Sequence, residues 1–206
     1  CIIKEFKLVS KDAIKNIKKI AKNDKVNVIQ ESNITENLIN KYFCIFQSVR
    51  KKLGVISYTK NYFENHLNFL KNQSFFFSYK FDNKIIGFAI IYFLRNKATL
   101  SFCYSLKEYN KYFSNDYLYF NIIDFLKKKQ FTELSFGGDS CNQTKLIKFK
   151  KKYSNFEQKL YACSNDIDHK IFDHNKSVYS MIKFIIKYCP IEIYKILNKV
   201  YFKYAK

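Results

Sequence analysis

Two glycines and a lysine-rich segment stand close together around position 140. Gly137 and Gly138 end a β-like run in a chain that holds only four glycines. Asp139 follows them directly, and the sequence FKKK comes shortly afterwards at 149–152. Such glycines serve either a turn that needs a positive φ or a stretch of bare backbone that a ligand can approach. A lysine beside that backbone could stabilise a developing oxyanion, and a solvated run of lysines is the alternative.

Three further side chains are candidates for a site. Arg50 is one of only two arginines and ends a predicted helix, where it could clamp a phosphate or a carboxylate. A surface cation that interacts with the helix dipole is the favoured interpretation of Arg50. Tyr104, at the end of a predicted strand, is assigned as a substrate contact. Glu108 and Asp139 are the two candidates to accept a proton. No Ser-His-Asp arrangement is recognisable.

The segment DIDHKIFDHN at 166–175 holds the residue types that ligate metals. Its two histidines, His169 and His174, are five residues apart, a spacing that fits neither one helical face nor a familiar metal motif. A polar loop is therefore predicted here, and no metal site.

The composition limits the classes of protein. A chain of 206 residues, 48% hydrophobic and 19% aromatic, can bury a substantial core, which argues against disorder. A formal net charge of +20 favours nucleic acid or an anionic membrane as a partner. However, only two of the 37 basic residues are arginines, the usual residue for bidentate phosphate recognition. The excess of lysine, asparagine and isoleucine is typical of an AT-rich coding background, so charge alone does not establish nucleic-acid binding.

Several features indicate a compartment. The six cysteines are scattered without any C-x-x-C pair and are predicted to be reduced thiols. No apolar run is long and uncharged enough to span a bilayer, and no signal peptide is visible. The cytoplasm is therefore expected, with a peripheral position at the inner membrane face as a further option. The chain opens on Cys1 without an initiator methionine, and a fragment boundary is preferred there over a processed lipoprotein.

The elements that must position these residues follow from hydrophobic periodicity and turn signals. Helices are predicted at 11–23, 36–53, 60–71, 116–130, in a short basic segment ending at 152, and at about 176–188 and 191–204 around Pro190. Strands are predicted at 26–29, 74–81, 84–94, 97–105, 132–136 and 156–163. This order predicts an α/β (α+β) fold with a mixed, mainly antiparallel sheet flanked by helices, followed by a C-terminal helical hairpin. The expected domains are 1–163 and a linker with the hairpin at 164–206.

The two terminal helices mix large apolar residues with lysines. Lys195, Lys199 and Lys203 recur every fourth residue and form one basic face that could lie on an anionic leaflet. A hairpin packed on the core with its lysines in water is the favoured alternative. Aromatic residues beside the lysines could also stack on the bases of single-stranded RNA.

Three antiparallel strands, a crossover helix and a further strand beside the third form an order that resembles the core of the GNAT acyltransferases. In that fold the acyl donor lies where the third strand and the strand after the helix splay apart, which frees backbone N–H groups for an acyl carbonyl. Members that use acetyl-CoA carry a glycine-rich pyrophosphate loop between the third strand and the helix. The corresponding segment here, CYSLKEYNKYFSND at 103–116, has no glycine. A conventional CoA pyrophosphate loop is therefore not expected, which favours aminoacyl-tRNA or a divergent donor over acyl-CoA. A CoA bound by side chains stays open as the alternative.

A second resemblance rests on the glycine pair itself. FGG at 136–138, followed by LIKFKKKY at 146–153, is similar to the glycine-glycine and F-K signature of the Fem family, the peptidoglycan bridge-forming aminoacyl transferases and their relatives in cell-envelope and polysaccharide synthesis. The segment at 11–29 resembles the point where the second GNAT-like half of those proteins begins. The resemblance covers about residues 8–163, and in two-lobed relatives another GNAT-like lobe precedes this part.

The resemblance implies that 1–163 is an acyltransferase domain. It would move an acyl or aminoacyl group from an activated donor to an amine of a cell-envelope or polysaccharide precursor. By the F-K match, Phe149 and Lys150 would line the reaction centre, with Lys150 stabilising the oxyanion. The alternative is a catalytically inactive GNAT-like module that binds RNA or an anionic membrane through its basic surface. An open cleft beside Lys150 would favour the enzyme, and a cleft filled by aromatic side chains would favour the binding module.

Overall fold

The computed structural model describes residues 1–4, 6, 10–109, 115–139, 142–160 and 177–204. Within these residues the strands are β1 (Ile2–Lys4), β2 (Val26–Glu31), β3 (Ser74–Phe81), β4 (Lys84–Leu94), β5 (Lys97–Ser105) and β6 (Glu133–Ser135). The helices are α1 (Lys11–Ile20), α2 (Glu36–Lys52), α3 (Lys60–Leu70), α4 (Asn115–Lys128), α5 (Thr144–Lys150), α6 (Ser177–Tyr188) and α7 (Ile191–Tyr204). Short 3-10 turns lie at Lys71–Gln73 and Lys107–Tyr109.

The strands form one mixed sheet in the order β1-β6-β5-β4-β3-β2. Every pair is antiparallel except β5 and β6, which are parallel because the crossover helix α4 connects them. The hairpin between β3 and β4 turns through Asp82 and Asn83, which both have positive φ, as a tight two-residue turn requires. The predicted antiparallel meander and the fourth main strand beside the third are confirmed.

Helices cover both faces of the sheet and divide the core into two layers. On one face, α1 and α4 pack on a buried cluster. Ala13 and Ile20 of α1 and Leu118 and Ile122 of α4 belong to it. On the other face, α2 and α3 bury an aromatic cluster against β4 and β5. Its largest buried members are Tyr42, Phe46, Phe63 and Phe88. Successive side chains along each strand point to opposite faces of the sheet, and both faces are buried under helices. The sequences of the strands are therefore long apolar runs.

A bulge in β5 decides which of its residues face which layer. Leu100 pairs with Ile91 and Phe102 pairs with Ile90, so Ser101 is an extra residue without a partner in the register. The extra residue reverses the alternation that follows it. Consequently Leu100 and Cys103 lie in the layer with α4, whereas Phe102 and Tyr104 lie in the layer with α2.

The edge of the sheet beyond β6 differs from the sequence prediction. A strand was expected at 156–163, but only Phe156 makes a bridge, to Ile2, and residues 157–160 are exposed and outside any strand. The prediction is wrong for these residues. The strand that extends the sheet beyond β6 is β1, Ile2–Lys4, which periodicity did not reveal. Residues 161–163 lie outside the described part of the chain.

The two C-terminal helices begin and end close to their predicted bounds, and both contact the connection between α2 and α3. The Tyr194 hydroxyl donates to the carbonyl of Val55 at 2.7 Å. Asn198 accepts from the backbone N–H of Ser57 at 3.1 Å and donates to its hydroxyl at 2.9 Å. Within the described residues, no helix has the length and apolar character needed to cross a membrane.

Candidate active site

The site lies where β5 and β6 part. The two strands pair only through Lys97–Thr99 and Glu133–Ser135, whereas β5 continues to Ser105. After β6 the chain turns towards β1, and the N–H of Phe136 donates to the carbonyl of Cys1 at 2.9 Å. Gly137 follows with a φ of +75°, a conformation that other residues adopt at a cost. The glycine pair thus occupies the point at which the strands diverge.

Lys150 and Asp139 meet at this point. Lys150 is the last residue of α5, and its Nζ donates to the carbonyl oxygen of Phe136 at 2.6 Å. The same Nζ lies 2.8 Å from Oδ1 and 2.7 Å from Oδ2 of Asp139. The two side chains are only 9% and 8% exposed. The lysine is therefore a buried ion-paired group rather than a member of a solvated run, and three acceptor oxygens surround its ammonium.

Phe149 lies beside Lys150 but points into an aromatic cluster between α4 and α5. Its ring makes an edge contact with Tyr119 at 5.3 Å between centroids, and Tyr153 stacks on Tyr119 at 5.2 Å. Phe136 lies 5.4 Å from Tyr119 and completes the cluster. These rings fix α5 on α4 and so position Lys150. The structure thus brings together five of the seven predicted site residues: Gly137, Gly138, Asp139, Phe149 and Lys150.

The segment after α5 passes over the glycine turn. A Cβ built on Gly138 would lie 3.2 Å from Cδ1 of Leu160. Leu160 is itself largely exposed, and it lies outside any strand. The segment near Leu160 therefore lies against the glycine turn.

A second buried polar group, unrecognised in the sequence, supports the same region. Asp116, at the start of α4, is buried and accepts hydrogen bonds from the Tyr153 hydroxyl and, at 2.6 Å, from Nδ2 of Asn16. Burial, followed by the bond to Asp116, raises the pKa of Tyr153. The tyrosine is consequently a neutral donor that connects α5 to α1 and α4. From the sequence alone, an aspartate at the start of a helix that is buried and accepts side-chain hydrogen bonds cannot be distinguished from one that only caps the helix.

Cys103 also faces the site, because the bulge at Ser101 turns it towards α4. Burial raises the pKa of the Cys103 thiol to about 12, although a hydrogen bond with Tyr119 and the charge of Lys150 act in the opposite direction. The thiol is therefore neutral at physiological pH and is no ready nucleophile. Cys103 was not predicted as a site residue, because no residue type in the sequence indicates the bulge that orients it.

Tyr104 and Arg50 lie in the opposite layer. The Tyr104 ring makes an edge contact with Phe46 at 5.0 Å, and burial raises the pKa of Tyr104. Arg50 donates from Nε to the carbonyl oxygen of Ile56 at 3.0 Å and stands 5.8 Å from the Phe46 ring. Arg50 thus closes the turn between α2 and α3. The substrate-binding assignment of these two residues remains a prediction, as the structure does not bring them to Lys150.

Glu108 borders a separate groove. Its Oε2 is 2.7 Å from Nζ of Lys52, and this hydrogen bond is the main cause that lowers the pKa of Glu108. A lowered pKa makes Glu108 a weaker proton acceptor than an ordinary carboxylate. The groove, of about 620 Å³, runs between α2 and the start of β4, and Lys41, Lys80 and Lys84 line it.

Two predictions concern residues outside the described part of the chain. The polar segment at 166–175 is one of them, and most of the glycine-free connection after Tyr109, at 110–114, is the other. Among the described residues, no group of three histidine, cysteine or acidic side chains is arranged to hold a metal ion.

The fold of the chain is similar to that of several solved structures. FemX superposes with a TM-score of 0.64 at 12% sequence identity, over 74% of this chain and 57% of FemX. An aminoglycoside acetyltransferase, meta-AAC0020 from an uncultured soil metagenomic sample, matches with a TM-score of 0.52 at 15% identity, over 70% of this chain and 98% of its own. A possible acetyltransferase from Clostridium difficile 630 gives 0.53 at 10% identity, over 68% and 98%. No protein-family model and no curated protein sequence matches the chain.

These similarities establish the fold and its resemblance to both GNAT acetyltransferases and FemX. The acetyltransferases are matched over nearly their whole length, whereas the chain spans a little over half of FemX. The expected GNAT-like fold with a mixed, mainly antiparallel sheet is therefore confirmed. At such low identity, the fold does not carry the substrates of these proteins to this chain.

Proposed function

We infer that this chain is the GNAT-like lobe of a Fem-like acyl or aminoacyl transferase. It moves an acyl or aminoacyl group from an activated donor to an amine of a cell-envelope or polysaccharide precursor. The observation that carries this proposal is the meeting of Lys150 and Asp139 beside the Gly137 turn, at the point where β5 and β6 of the GNAT-like sheet diverge. A buried ion pair is costly to maintain for stability alone, and such groups concentrate at functional sites.

The proposed reaction uses both members of the pair. The acceptor amine attacks the carbonyl carbon of the donor ester or thioester, and the C–O or C–S bond to the donor breaks after a tetrahedral intermediate forms. Asp139 accepts the proton that the nitrogen loses on attack. Once protonated, Asp139 no longer neutralises Lys150, so the ammonium becomes available to the oxyanion as the negative charge develops. The proton then leaves with the alkoxide or thiolate of the donor.

The donor proposed is an aminoacyl-tRNA, with an acyl-CoA as the less favoured choice. The connection between β5 and α4 contains no glycine, which argues against the backbone loop that wraps a pyrophosphate. Acetyl-CoA is therefore expected to bind poorly in calorimetry. Charged tRNA is expected to bind, with an affinity that falls steeply with salt because phosphate contacts release counterions. If acetyl-CoA binds with low-micromolar affinity, the tRNA donor is wrong and the donor is a CoA thioester.

The proton transfer is tested with Asp139→Asn. Asparagine keeps an acceptor oxygen for Lys150 but cannot take the proton, so turnover with charged tRNA and an amine-bearing muropeptide should fall on the order of a hundredfold at unchanged donor affinity. Glu157→Gln is the matched control, since Glu157 forms an exposed pair with the neighbouring Lys151 at 3.1 Å. Equal turnover in the two variants would remove Asp139 from the mechanism.

The non-catalytic alternative has its own support. The Lys150–Asp139 pair is nearly enclosed beside an aromatic cluster, and the lysine-lined groove between α2 and β4 offers a separate basic surface. A binding module of this kind would hold RNA with equal affinity in the wild type and in Asp139→Asn. It would lose that affinity in Lys41→Gln with Lys84→Gln. This pattern, without transfer by the wild-type protein, would favour the binding module over the enzyme.

A further inference from the structure

The two C-terminal helices contact the rest of the protein along one side each. Among the side chains of α6 that the structure describes, that of Ile186 is the buried one, and the backbone of Lys183 packs against Gly54. On α7, Tyr194 and Asn198 are buried and hydrogen-bonded to the connection between α2 and α3. These contacts fix the rotation of each helix about its axis. The residues on the far side of each helix therefore have a defined outward direction.

The outward side of α6 is apolar. Met181, Phe184, Ile185 and Tyr188 follow the spacing i, i+3, i+4, i+7, which places them in one stripe along the helix. They are between 48% and 63% exposed. In most proteins a stripe with this spacing faces the core. In α6 the side of the helix that faces the core is instead the one that carries Ile186. Four large apolar side chains in a row on an exposed helix indicate an interaction surface.

The outward side of α7 combines an apolar stripe with a basic one. Ile193, Ile196 and Val200 are between 47% and 59% exposed and lie on one side of the helix. Lys195, Lys199 and Lys203 recur at i+4 and follow the same axis about a quarter turn away. Glu192 is the one acidic residue of α7. The sequence alternative, in which the helices bury their apolar residues on the core, therefore holds only for their inner sides.

The chemistry of this outer surface fits an anionic lipid bilayer. Aliphatic and aromatic side chains can enter the boundary between headgroups and acyl chains, while neighbouring lysines extend to lipid phosphates. A second copy of the chain fits less well, because each copy carries a formal net charge of +20. Single-stranded RNA fits less well too, since most of the stripe residues are aliphatic and, among them, Phe184 and Tyr188 alone offer a ring on which a base can stack.

We propose that the outer surfaces of α6 and α7 dock on an anionic membrane, with the apolar stripes in the headgroup region and Lys195, Lys199 and Lys203 on lipid phosphates. The helices lie in the plane of the interface and do not cross it. This contact is independent of the transferase chemistry, because it uses a different face of the protein from Lys150. It places the catalytic lobe beside substrates that are carried on lipids.

The chain contains no tryptophan, so a single introduced indole reports the contact directly. Phe184→Trp should show a blue-shifted emission with vesicles of phosphatidylcholine and phosphatidylglycerol, and little change with phosphatidylcholine alone. The shift should diminish as salt is added. Phe69→Trp on α3 is the matched control, since Phe69 is 87% exposed and belongs to neither stripe. Its emission should not change with either vesicle.

The charge contribution is measured by sedimentation with the same anionic vesicles. Replacing Lys195, Lys199 and Lys203 by glutamine should weaken binding about a hundredfold, because each lysine near an anionic lipid surface raises the binding constant about fivefold. The control removes the same charge from α1, by replacing the exposed Lys11, Lys15 and Lys18. Equal loss in both triple variants, or no shift of the Phe184→Trp emission, would overturn the proposal. So would a blue shift that follows protein concentration or added RNA without vesicles.

Discussion

Nζ of Lys150 lies 2.7 Å from Oδ2 of Asp139, and both side chains are buried between α5 and the glycine turn. The adjacent residue, Lys151, forms a pair of similar length with Glu157, but that pair is exposed to solvent. Two neighbouring lysines thus make the same kind of contact in opposite surroundings. The difference in solvation leads to a quantitative expectation for stability.

Lys150→Met should lower the free energy of unfolding by about 3–5 kcal/mol, because it leaves the Asp139 carboxylate buried without its counterion. Lys151→Met should cost about 1 kcal/mol or less. Combining Lys150→Met with Asp139→Leu should recover most of the loss, since no charge then remains buried. Urea denaturation of the three proteins measures these values. Similar costs for the two single variants would mean that Lys150 is solvated.

Tyr153→Phe should destabilise the protein by about 1–3 kcal/mol, because the phenylalanine removes a donor from the buried carboxylate of Asp116. The same change at Tyr188, which is exposed on α6, should have little effect. Thermal melts of both variants at neutral pH make the comparison. If Asp116 relies on Asn16 alone, the two variants will melt together.

The protein should lose stability in alkaline solution. Burial raises the pKa of seven tyrosines, namely Tyr42, Tyr79, Tyr92, Tyr104, Tyr119, Tyr153 and Tyr194. In the unfolded chain these groups ionise near pH 10, whereas in the fold they keep their protons at higher pH. Above about pH 10 the unfolded state therefore binds fewer protons, and the free energy of unfolding falls as the pH rises. Their contribution is fully present below that value.

Urea midpoints between about pH 8 and about pH 11 test this expectation. Tyr92→Phe should make the decline shallower, because the pKa of Tyr92 is raised to about 12 and the variant removes that group. The increase in phenolate absorbance that Tyr92→Phe removes should coincide with the loss of helical signal. If that increase precedes unfolding, Tyr92 is accessible to hydroxide in the native state.

Two glycines with positive φ should respond differently to alanine. A Cβ at Gly54 would overlap the backbone carbonyl oxygen of Lys183, so Gly54→Ala should both strain the turn and displace α6 from α2. At Gly137 the nearest atom to such a Cβ is the carbonyl oxygen of Leu100, 4.0 Å away, which leaves only the conformational cost of about 1 kcal/mol. Limited proteolysis at the C-terminal helices should increase in Gly54→Ala alone.

Much of the fold could be predicted from the sequence, because its strands and helices have strong local signals. The apolar runs at 74–81, 84–94 and 97–105 and the stripe of α2 fixed the type and order of these elements. β1 has only three residues, and its pairing with β6 depends on contacts about 130 residues apart, which no local pattern shows. Of the strand predicted at 156–163, Phe156 bridges β1 through Ile2, and residues 157–160 lie outside any strand.

The candidate site could be predicted only in part. The glycine pair and the F-K match indicated where Gly137, Gly138, Asp139, Phe149 and Lys150 would meet, but a run of four basic residues gave no sign that one of them is buried. The opposite orientations of Cys103 and Tyr104 depend on the bulge at Ser101. A bulge without a glycine has no compositional signal, so Tyr104 was assigned to the site and Cys103 was not.

The short strand β1 also constrains the order in which the protein can fold. Ile2–Lys4 pair with Glu133–Ser135, and Ile2 bridges Phe156, so the first strand along the chain completes its contacts with partners that are synthesised late. The meander β3–β4–β5 needs only short loops and can form well before. Closing the long loop to β1 carries a larger entropic cost and slows this step. During synthesis, residues 2–4 should therefore remain unpaired until β6 has left the ribosome, and the bridge from Ile2 to Phe156 should form later still.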